Sequence, residues 1–538
     1  MTTAGLPAGR AASLVARAVF AAALVVATWG YHQRLDDDPP YLDFDSATLG
    51  IFVNNVSFRD RYDDGFRDSL EAQNRYRARW AASFLPGAVV LGQVQRWFGI
   101  APDGVGELLK FTGFLFGALG TLCVALVARR DGRSTSEVLF LGALVSALPA
   151  FLLYLRTAVP HFLFSYLMFW LATLCLDRYL DTGSRRWIYA LALALALHAM
   201  LPYVPLVALP LVGITLALSR GAVGRVLRDP HLYAAAAASV LLFALMRFAV
   251  ATTHEPSYEA WASKAERFVG ARSRHAIALD YLAPAMLPDK IVKLVHQHYY
   301  HRRDGLGDRS RNDELWTLPR PHGVWLALLP LAVVGAWTSW RRRDRAAGVF
   351  AAVLFAIYGI ALTVGFPEGR YLIPAVPALA FFVLEGLRVL VPAGTVRLLV
   401  LALVLVATAV NSSILVRGDY NESVSQAWQG MAGMRETLAV IRDRVDPAYG
   451  RERDLHLAWP GLRYEGWLYL EMLGNMRVKT FLADANLAEA AAGETLFAAV
   501  DVGEADTLQN LRRRGYRDLA TAVDPVGGRE LVVLANVP

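Results

Sequence analysis

Nine stretches of this chain, 11–30, 108–128, 136–156, 160–178, 232–252, 322–340, 346–366, 371–390 and 397–416, are long and apolar enough to be membrane spans. A helix needs roughly 20 such residues to cross the hydrocarbon core. A tenth stretch, 187–219, is apolar for more than thirty residues but carries Pro202 and Pro205 at its centre. Proline lacks the backbone donor that a continuous helix requires, so two short half-helices meeting within the membrane account for this stretch better than one long span. The expectation is a polytopic α-helical protein of about 11 membrane segments, counting the broken pair as two.

The basic residues test that layout, because Lys and Arg gather on the cytoplasmic side of membrane proteins. Arg10 and Arg17 accompany the first span, and Arg129, Arg130 and Arg133 follow the second. Arg185 and Arg186 come next, then Arg220, Arg225 and Arg228, then Arg341, Arg342, Arg343 and Arg345, and finally Arg388 and Arg397. All of these fall on one side only if 187–219 enters and returns as a pair. The N-terminus is then cytoplasmic and the C-terminus lies across the membrane. Residues 18–29 also resemble the core of a signal peptide, but no small-x-small cleavage site precedes Trp29, which favours a retained helix.

The formal charge is +7, yet the basic residues sit in short clusters between apolar stretches, which reports orientation and gives no footprint for nucleic acid. A hydrophobic content of 55% with 19% charged residues excludes an ordinary soluble protein of 538 residues. Both cysteines, Cys123 and Cys175, lie inside apolar segments, so neither a disulfide framework nor a cysteine metal site is expected.

The spans organise residues 1–416 into a transmembrane module with outer loops at 31–107 and 254–321, followed by a soluble extracytoplasmic domain at 417–538. The first loop holds a short apolar run flanked by Arg79, Trp80, Arg96 and Trp97, the composition of a helix lying in the membrane interface. A similar candidate covers Met286–Tyr300. In the C-terminal part SVSQAWQGMAGMRETLAVIRDRV reads as helix, whereas DLHLAW, RVKTFL, TLFAAVDV and ELVVLAN read as strands of a small α/β domain.

A transporter would place ionisable residues at mid-membrane depth. Here Asp177 and Glu385 fall toward the cytoplasmic ends of their spans and Arg156 and Arg247 toward the outer ends. Only His198 approaches the half-helix break, where a hydrogen-bonded core histidine and a relay are both open readings. The outer side is richer. Asp43 and Asp45 follow the first span in PPYLDFDSATLG, and FPEGRYLIPAVP, residues 366–377, sets Glu368 and Arg370 in a short outer turn. A carboxylate and a guanidinium on one membrane face suit the two halves of a group transfer, proton removal from an acceptor and stabilisation of an anionic leaving group.

This arrangement resembles the GT-C glycosyltransferases, integral membrane enzymes that take a sugar from a polyprenyl-phosphate carrier. More narrowly it is similar to the branch of protein O-mannosyltransferases and aminoarabinose transferases. The resemblance rests on the acidic DFDSATLG in the first outer loop, on Arg370 and Tyr371 followed by Pro374 and Pro377, on the broken pair and on the soluble C-terminal domain. It departs from the pattern where Ser46 follows Asp45 and where the second outer turn offers Arg156 and His161 without a carboxylate. The resemblance implies a polyprenyl-phosphate sugar donor, a glycan, lipid or protein acceptor, an inverting displacement and a site facing outward.

For such chemistry Asp45 is the candidate general base and Asp43 its helper or a metal ligand. Arg370 is the candidate phosphate ligand, since its planar fork pairs with phosphate oxygens. Tyr371, Arg156 and Arg272 are further donor-phosphate candidates, and Glu368, His161, Lys290 and Lys293 complete the set. Arg272, Arg274, Lys290 and Lys293 are equally read as surface charge toward anionic headgroups of the membrane lipid. A divalent metal is compatible with the chemistry but not required by it; Asp43, His296, His298 and His301 are its weak candidates. Two other functions are open: a glycan polymerase or ligase with a pyrophosphate-linked donor, served by Arg156 and Arg370, and a transporter of lipid-linked sugars. The Ala/Arg-rich composition favours a bacterial cytoplasmic membrane.

Overall fold

The computed structural model describes residues 8–32, 44–59, 87–129, 132–148, 151, 160–199, 204–253, 323–364, 373–428, 433–459, 473, 478–481, 495–523 and 530–536. The chain divides into two compact units, one built from 1–38, 110–248 and 265–419, the other from 39–109, 249–264 and 420–538.

The first unit is helical. Its elements are α1 (Ala8–His32), α4 (Val105–Ala128, from Lys110 onward), α5 (Thr135–Ala147), α6 (Pro160–Thr182), α7 (Arg185–Ala199), α8 (Val204–Ser219), α9 (Val223–Leu227), α10 (Pro230–Thr253), α11 (Gly323–Arg342), α12 (Arg345–Val364), a 3-10 turn Ile373–Ala375, α13 (Val376–Leu390) and α14 (Thr395–Trp428). Among the described residues four helices, Pro102–Ala128, Pro160–Thr182, Ile373–Leu390 and Thr395–Ser413, are long and apolar enough to cross a membrane, and several shorter apolar helices accompany them.

Local chemistry sets these boundaries. Helices α6 and α10 start on Pro160 and Pro230, and α8 carries Pro205 in its first turn, where proline loses no hydrogen bond. Residues 200–203, within which the break is expected, lie outside the described residues; the described helices on either side end at Ala199 and begin at Val204. Ser134 and Glu137 close a reciprocal capping box on α5, with Glu137 Oε2 accepting from the Ser134 backbone N–H at 2.8 Å.

The core of this unit is aromatic: Tyr166, Phe169, Trp170, Phe140, Phe151 and Phe350 are fully buried, and Phe350 stacks on Phe381 with ring centres 4.1 Å apart. Helix α13 lies against α11, α12 and α5, α6 against α7 and α8, and α12 against α8. The α11–α13 crossing needs glycine on both sides. A Cβ on Gly335 would overlap the Phe382 carbonyl and stand 2.6 Å from the Gly386 nitrogen, and a Cβ on Gly386 would overlap the Leu331 carbonyl.

The second unit comprises α2 (Phe44–Arg59), a helix α3 at 87–98, a 3-10 turn Pro102–Gly104 and the C-terminal elements. The latter are α15 (Met434–Arg444), β1 (Leu455–Ala458), β2 (Val478–Phe481), β3 (Leu496–Asp501), α16 (Ala505–Arg513), β4 (Arg517–Val523) and β5 (Glu530–Asn536). The sheet order is β2-β1-β3-β5-β4; β1 is parallel to β2 and β3, while β5 is antiparallel to β3 and β4. Ala498, Val500, Leu508, Leu511, Tyr516 and Leu534 pack as one cluster. Gly433 begins α15 at φ +78°, and a Cβ there would also meet Leu531 Cδ1 at 2.5 Å.

Two details differ from the sequence expectation. Helix α14 continues to Trp428, so SVSQAW extends the preceding helix and a separate helix starts only at Met434. Strand β4, RDLATAV, was not anticipated; it is an edge strand with only Ala522 buried and so has almost no apolar alternation to read.

Candidate functional site

The two ends of the helical unit differ in kind. One end is knitted by ion pairs between short connections. Arg133, with a buried side chain, donates to Glu385 at 2.9 Å and to Asp344 at 2.5 Å, and its guanidinium lies 4.5 Å from the centre of the Phe381 ring. Glu137 receives Arg397 at 2.9 Å and Arg388 at 3.3 Å. Arg220 pairs with Asp177 at 2.5 Å and Asp181 at 2.8 Å, and Arg345 approaches Asp181 at 3.9 Å. The segments around residues 133, 181, 220, 344 and 388–397 therefore share one end, the arrangement required by the basic clusters. Because Arg220 returns beside Asp177 and Asp181, α7 and α8 begin and finish at that same end.

The opposite end carries the candidate chemistry. Lys110 lies 18 residues from Ala128, about 27 Å along α4, and Arg133 holds the Ala128 carbonyl at 3.3 Å. His161 begins α6 16 residues, about 24 Å, before Asp177. The two helices meet at Gly113, where a Cβ would touch Pro160 Cα and Leu163 Cδ1 at 3.4 Å each. Lys110 and His161 are both buried, at 2% and 3% exposure. They thus lie near one end of the same helix pair. The described flanks of the FPEGRY turn, Val364 and Ile373, belong to this end too, since α12 starts beside Asp344 and α13 finishes beside Arg388. The 3-10 turn at Ile373 packs on α6 and α12.

Lys110 was missed by sequence reasoning, although the signal was there: a lysine inside GELLKFTGF, within a span, is the kind of intramembrane cation that marks a site. His198 is resolved in favour of the core reading, with Nε2 2.7 Å from Ser165 Oγ and both side chains buried.

In the second unit, Asp45 is the second residue of α2. Every residue of α2 from 49 to 57 is buried. Arg96, taken as an interface flank, donates through Nε to the Ser57 carbonyl at 2.6 Å and through Nη2 to the Val56 carbonyl. Its neighbours Trp97 and Phe98 are exposed. Asp43, Arg156, Arg272, Lys290, Lys293, His296, His298, His301, Glu368, Arg370 and Tyr371 lie outside the described residues.

The helical unit and the small mixed sheet make up a fold of the GT-C type. Among solved structures, ArnT from Cupriavidus metallidurans in the apo state, an aminoarabinose transferase, is similar with a TM-score of 0.51 and 14% identity over 98% of each chain. The archaeal oligosaccharyltransferase AglB from Archaeoglobus fulgidus, solved with an inhibitory peptide and a dolichol-phosphate, gives a TM-score of 0.44 and 11% identity over 86% of this chain and 64% of AglB. No family model matches the sequence, and no curated protein matches it. At these identities the likeness is one of fold.

Proposed function

We propose that the protein is a membrane glycosyltransferase that moves a sugar from a polyprenyl-phosphate donor to an acceptor hydroxyl on a glycan, lipid or protein. The reaction takes place at the outer face of a bacterial cytoplasmic membrane, with the N-terminus cytoplasmic and 417–538 outside. The observation that carries this reading is the placement of buried Lys110 and His161 at the end of the helical unit opposite the ion-paired one, within a GT-C fold.

In this reading the acceptor oxygen forms a bond to the anomeric carbon as the bond from that carbon to the donor phosphate oxygen breaks. The electron pair leaves with the polyprenyl phosphate, and the acceptor proton passes to Asp45. One displacement inverts the anomeric centre. The donor already has a good leaving group, so alignment, proton removal and charge stabilisation are the protein's main contributions. Arg370, Tyr371, Arg156 and Arg272 are the phosphate-binding candidates from the sequence, and Lys110 joins them. A lysine within an apolar span is the kind of cation that can meet a lipid-borne phosphate at membrane depth.

Purified protein in detergent, incubated with a panel of polyprenyl-phosphate hexoses and pentoses, tests the assignment. Release of polyprenyl phosphate by transfer or slow hydrolysis is expected, with loss of activity in Asp45→Asn and an unchanged elution profile. An intact donor across the panel would support a transporter, and full activity of Asp45→Asn would remove the base assignment.

A further inference from the structure

We propose that Asn54, Ser57, Gln95 and Arg96 are positioning residues that set the place of Asp45 by locking helix α2 along its axis. The proposal rests on the reading of Asp45 as general base.

Helix α2 is buried along its middle, where every residue from 49 to 57 is buried. Most of that surface is apolar: Leu49, Ile51, Phe52, Val53 and Val56. Apolar contact is non-directional and tolerates small slides and rotations of a rod. The far end of the same helix carries something different, a polar cluster in which Asn54, Ser57 and Gln95 are buried and Arg96 closes in from an exposed position.

Gln95 Nε2 donates to Asn54 Oδ1 at 2.8 Å and to the Ala101 carbonyl at 3.3 Å, while its Oε1 accepts from Ser57 Oγ. Asn54 Nδ2 donates in turn to the Pro102 carbonyl at 3.1 Å. The Val53 carbonyl at 2.8 Å and the Gly92 carbonyl at 3.0 Å are alternative acceptors for the single Ser57 O–H. Arg96 grips the carbonyls of Val56 and Ser57 in the last turn of α2, where helical carbonyls have no partner of their own. Gly92 brings the two helices into contact, since a Cβ there would stand 2.6 Å from Val56 Cγ1.

Such a cluster is an expensive way to fasten a helix that apolar side chains already bury. What it adds is direction. A buried network is satisfied in one geometry and loses free energy on any slip. Asp45 is twelve residues before Ser57 on one continuous helix, about 18 Å along the axis. A helix transmits an axial slip without loss, so the C-terminal lock sets the position of the first turn. A displacement of about 1 Å at a reacting group is enough to cost on the order of a hundredfold in rate.

The test separates positioning of a base from general stability by using a nucleophile that needs no base. Hydrolysis of the donor requires a proton to be taken from water. Azide attacks the anomeric carbon as an anion, forms the glycosyl azide and releases polyprenyl phosphate with no proton removed. The donor is the polyprenyl-phosphate sugar turned over fastest by the wild type, and the variants are Ser57→Ala and the double variant Asn54→Leu with Gln95→Met. The double variant removes both partners of a buried pair and leaves neither partner of that pair orphaned, which keeps the folded state accessible.

Hydrolysis is expected to fall about tenfold or more in the double variant, and by less in Ser57→Ala, while the azide reaction stays within about twofold of the wild type. Equal loss of both reactions would mark the cluster as a fold determinant only and overturn the proposal. Unchanged hydrolysis in the double variant would overturn it as well. Asp45→Asn run alongside distinguishes the levels: if it hydrolyses the donor normally, the base reading falls and the positioning role falls with it. If it is inactive in hydrolysis while the double variant is fully active, the positioning role alone falls.

Discussion

Arg220 reaches back across a helical pair to Asp177, with 2.5 Å between Nη2 and Oδ1, and its Nη1 takes Asp181 at 2.8 Å. Residue 220 follows α8 and residues 177 and 181 precede α7, so this contact closes the excursion between them. Single cysteines at the exposed positions Thr182 and Arg228 should therefore react with an impermeant maleimide from the same side of sealed vesicles. The native Cys123 and Cys175 are buried and serve as a silent background. Labelling from opposite sides would refute the returning pair.

Arg133 is the keystone of the ion-paired end, buried between Asp344 and Glu385. Arg133→Met leaves buried carboxylates short of a partner, and breaking a buried pair from one side costs about 3–5 kcal/mol. Adding Glu385→Gln should recover part of that loss. Thermal unfolding in detergent measures both variants, and strictly additive losses would show that the two side chains do not act as a pair.

Lys110→Met should weaken donor binding. A charge-assisted hydrogen bond is worth about 1.5–3 kcal/mol, or roughly 10- to 100-fold in affinity. The expected signature is a raised donor KM with the acceptor dependence unchanged. An unaltered KM in a well-folded variant would remove Lys110 from the phosphate site.

Asp446, on the exposed turn after α15, accepts from the Ala448 backbone N–H at 2.9 Å and from Arg453 at 3.0 Å, and these bonds hold its carboxyl below the ordinary aspartate value. A carboxyl depressed on folding lends stability above its unfolded value, about pH 4. That contribution is lost as the pH falls from there through the lower folded value. Protection of the amides around 446–453, their exchange taken relative to the intrinsic rate at each pH, should fall over this acid range in the wild type. Asp446→Asn should already exchange faster at neutral pH and should flatten the acid dependence.

The membrane layout was legible because it is written in lengths and charges. Stretches of about 20 apolar residues declare spans, Pro202 and Pro205 declare a break, and arginine clusters declare a side. The same logic is silent wherever a residue's meaning depends on a partner far along the chain. Arg96, an exposed flank of the expected interfacial helix, also donates to the carbonyls of Val56 and Ser57, a pairing its own segment does not announce. Strand β4 carries too few buried positions for its alternation to show.

His198 illustrates the division well. Its presence beside the helix break was plain in the sequence, but its partner Ser165 lies 33 residues earlier and on another helix. Lys110 could have been noticed as a cation within a span, but its burial follows from the packing of α4 against α6 at Gly113.

By itself the sequence determined the fold class and the apolar, membrane-type character of the helices, because hydrophobic length and charge are properties of short segments. Tertiary structure alone decided that residues 49–57 of the helix bearing Asp45 are buried, that Gln95 and Arg96 fasten that helix, and that Lys110 and His161 share one end of the helical unit. Those facts are contacts between residues distant along the chain, and such contacts exist only once the helices have packed.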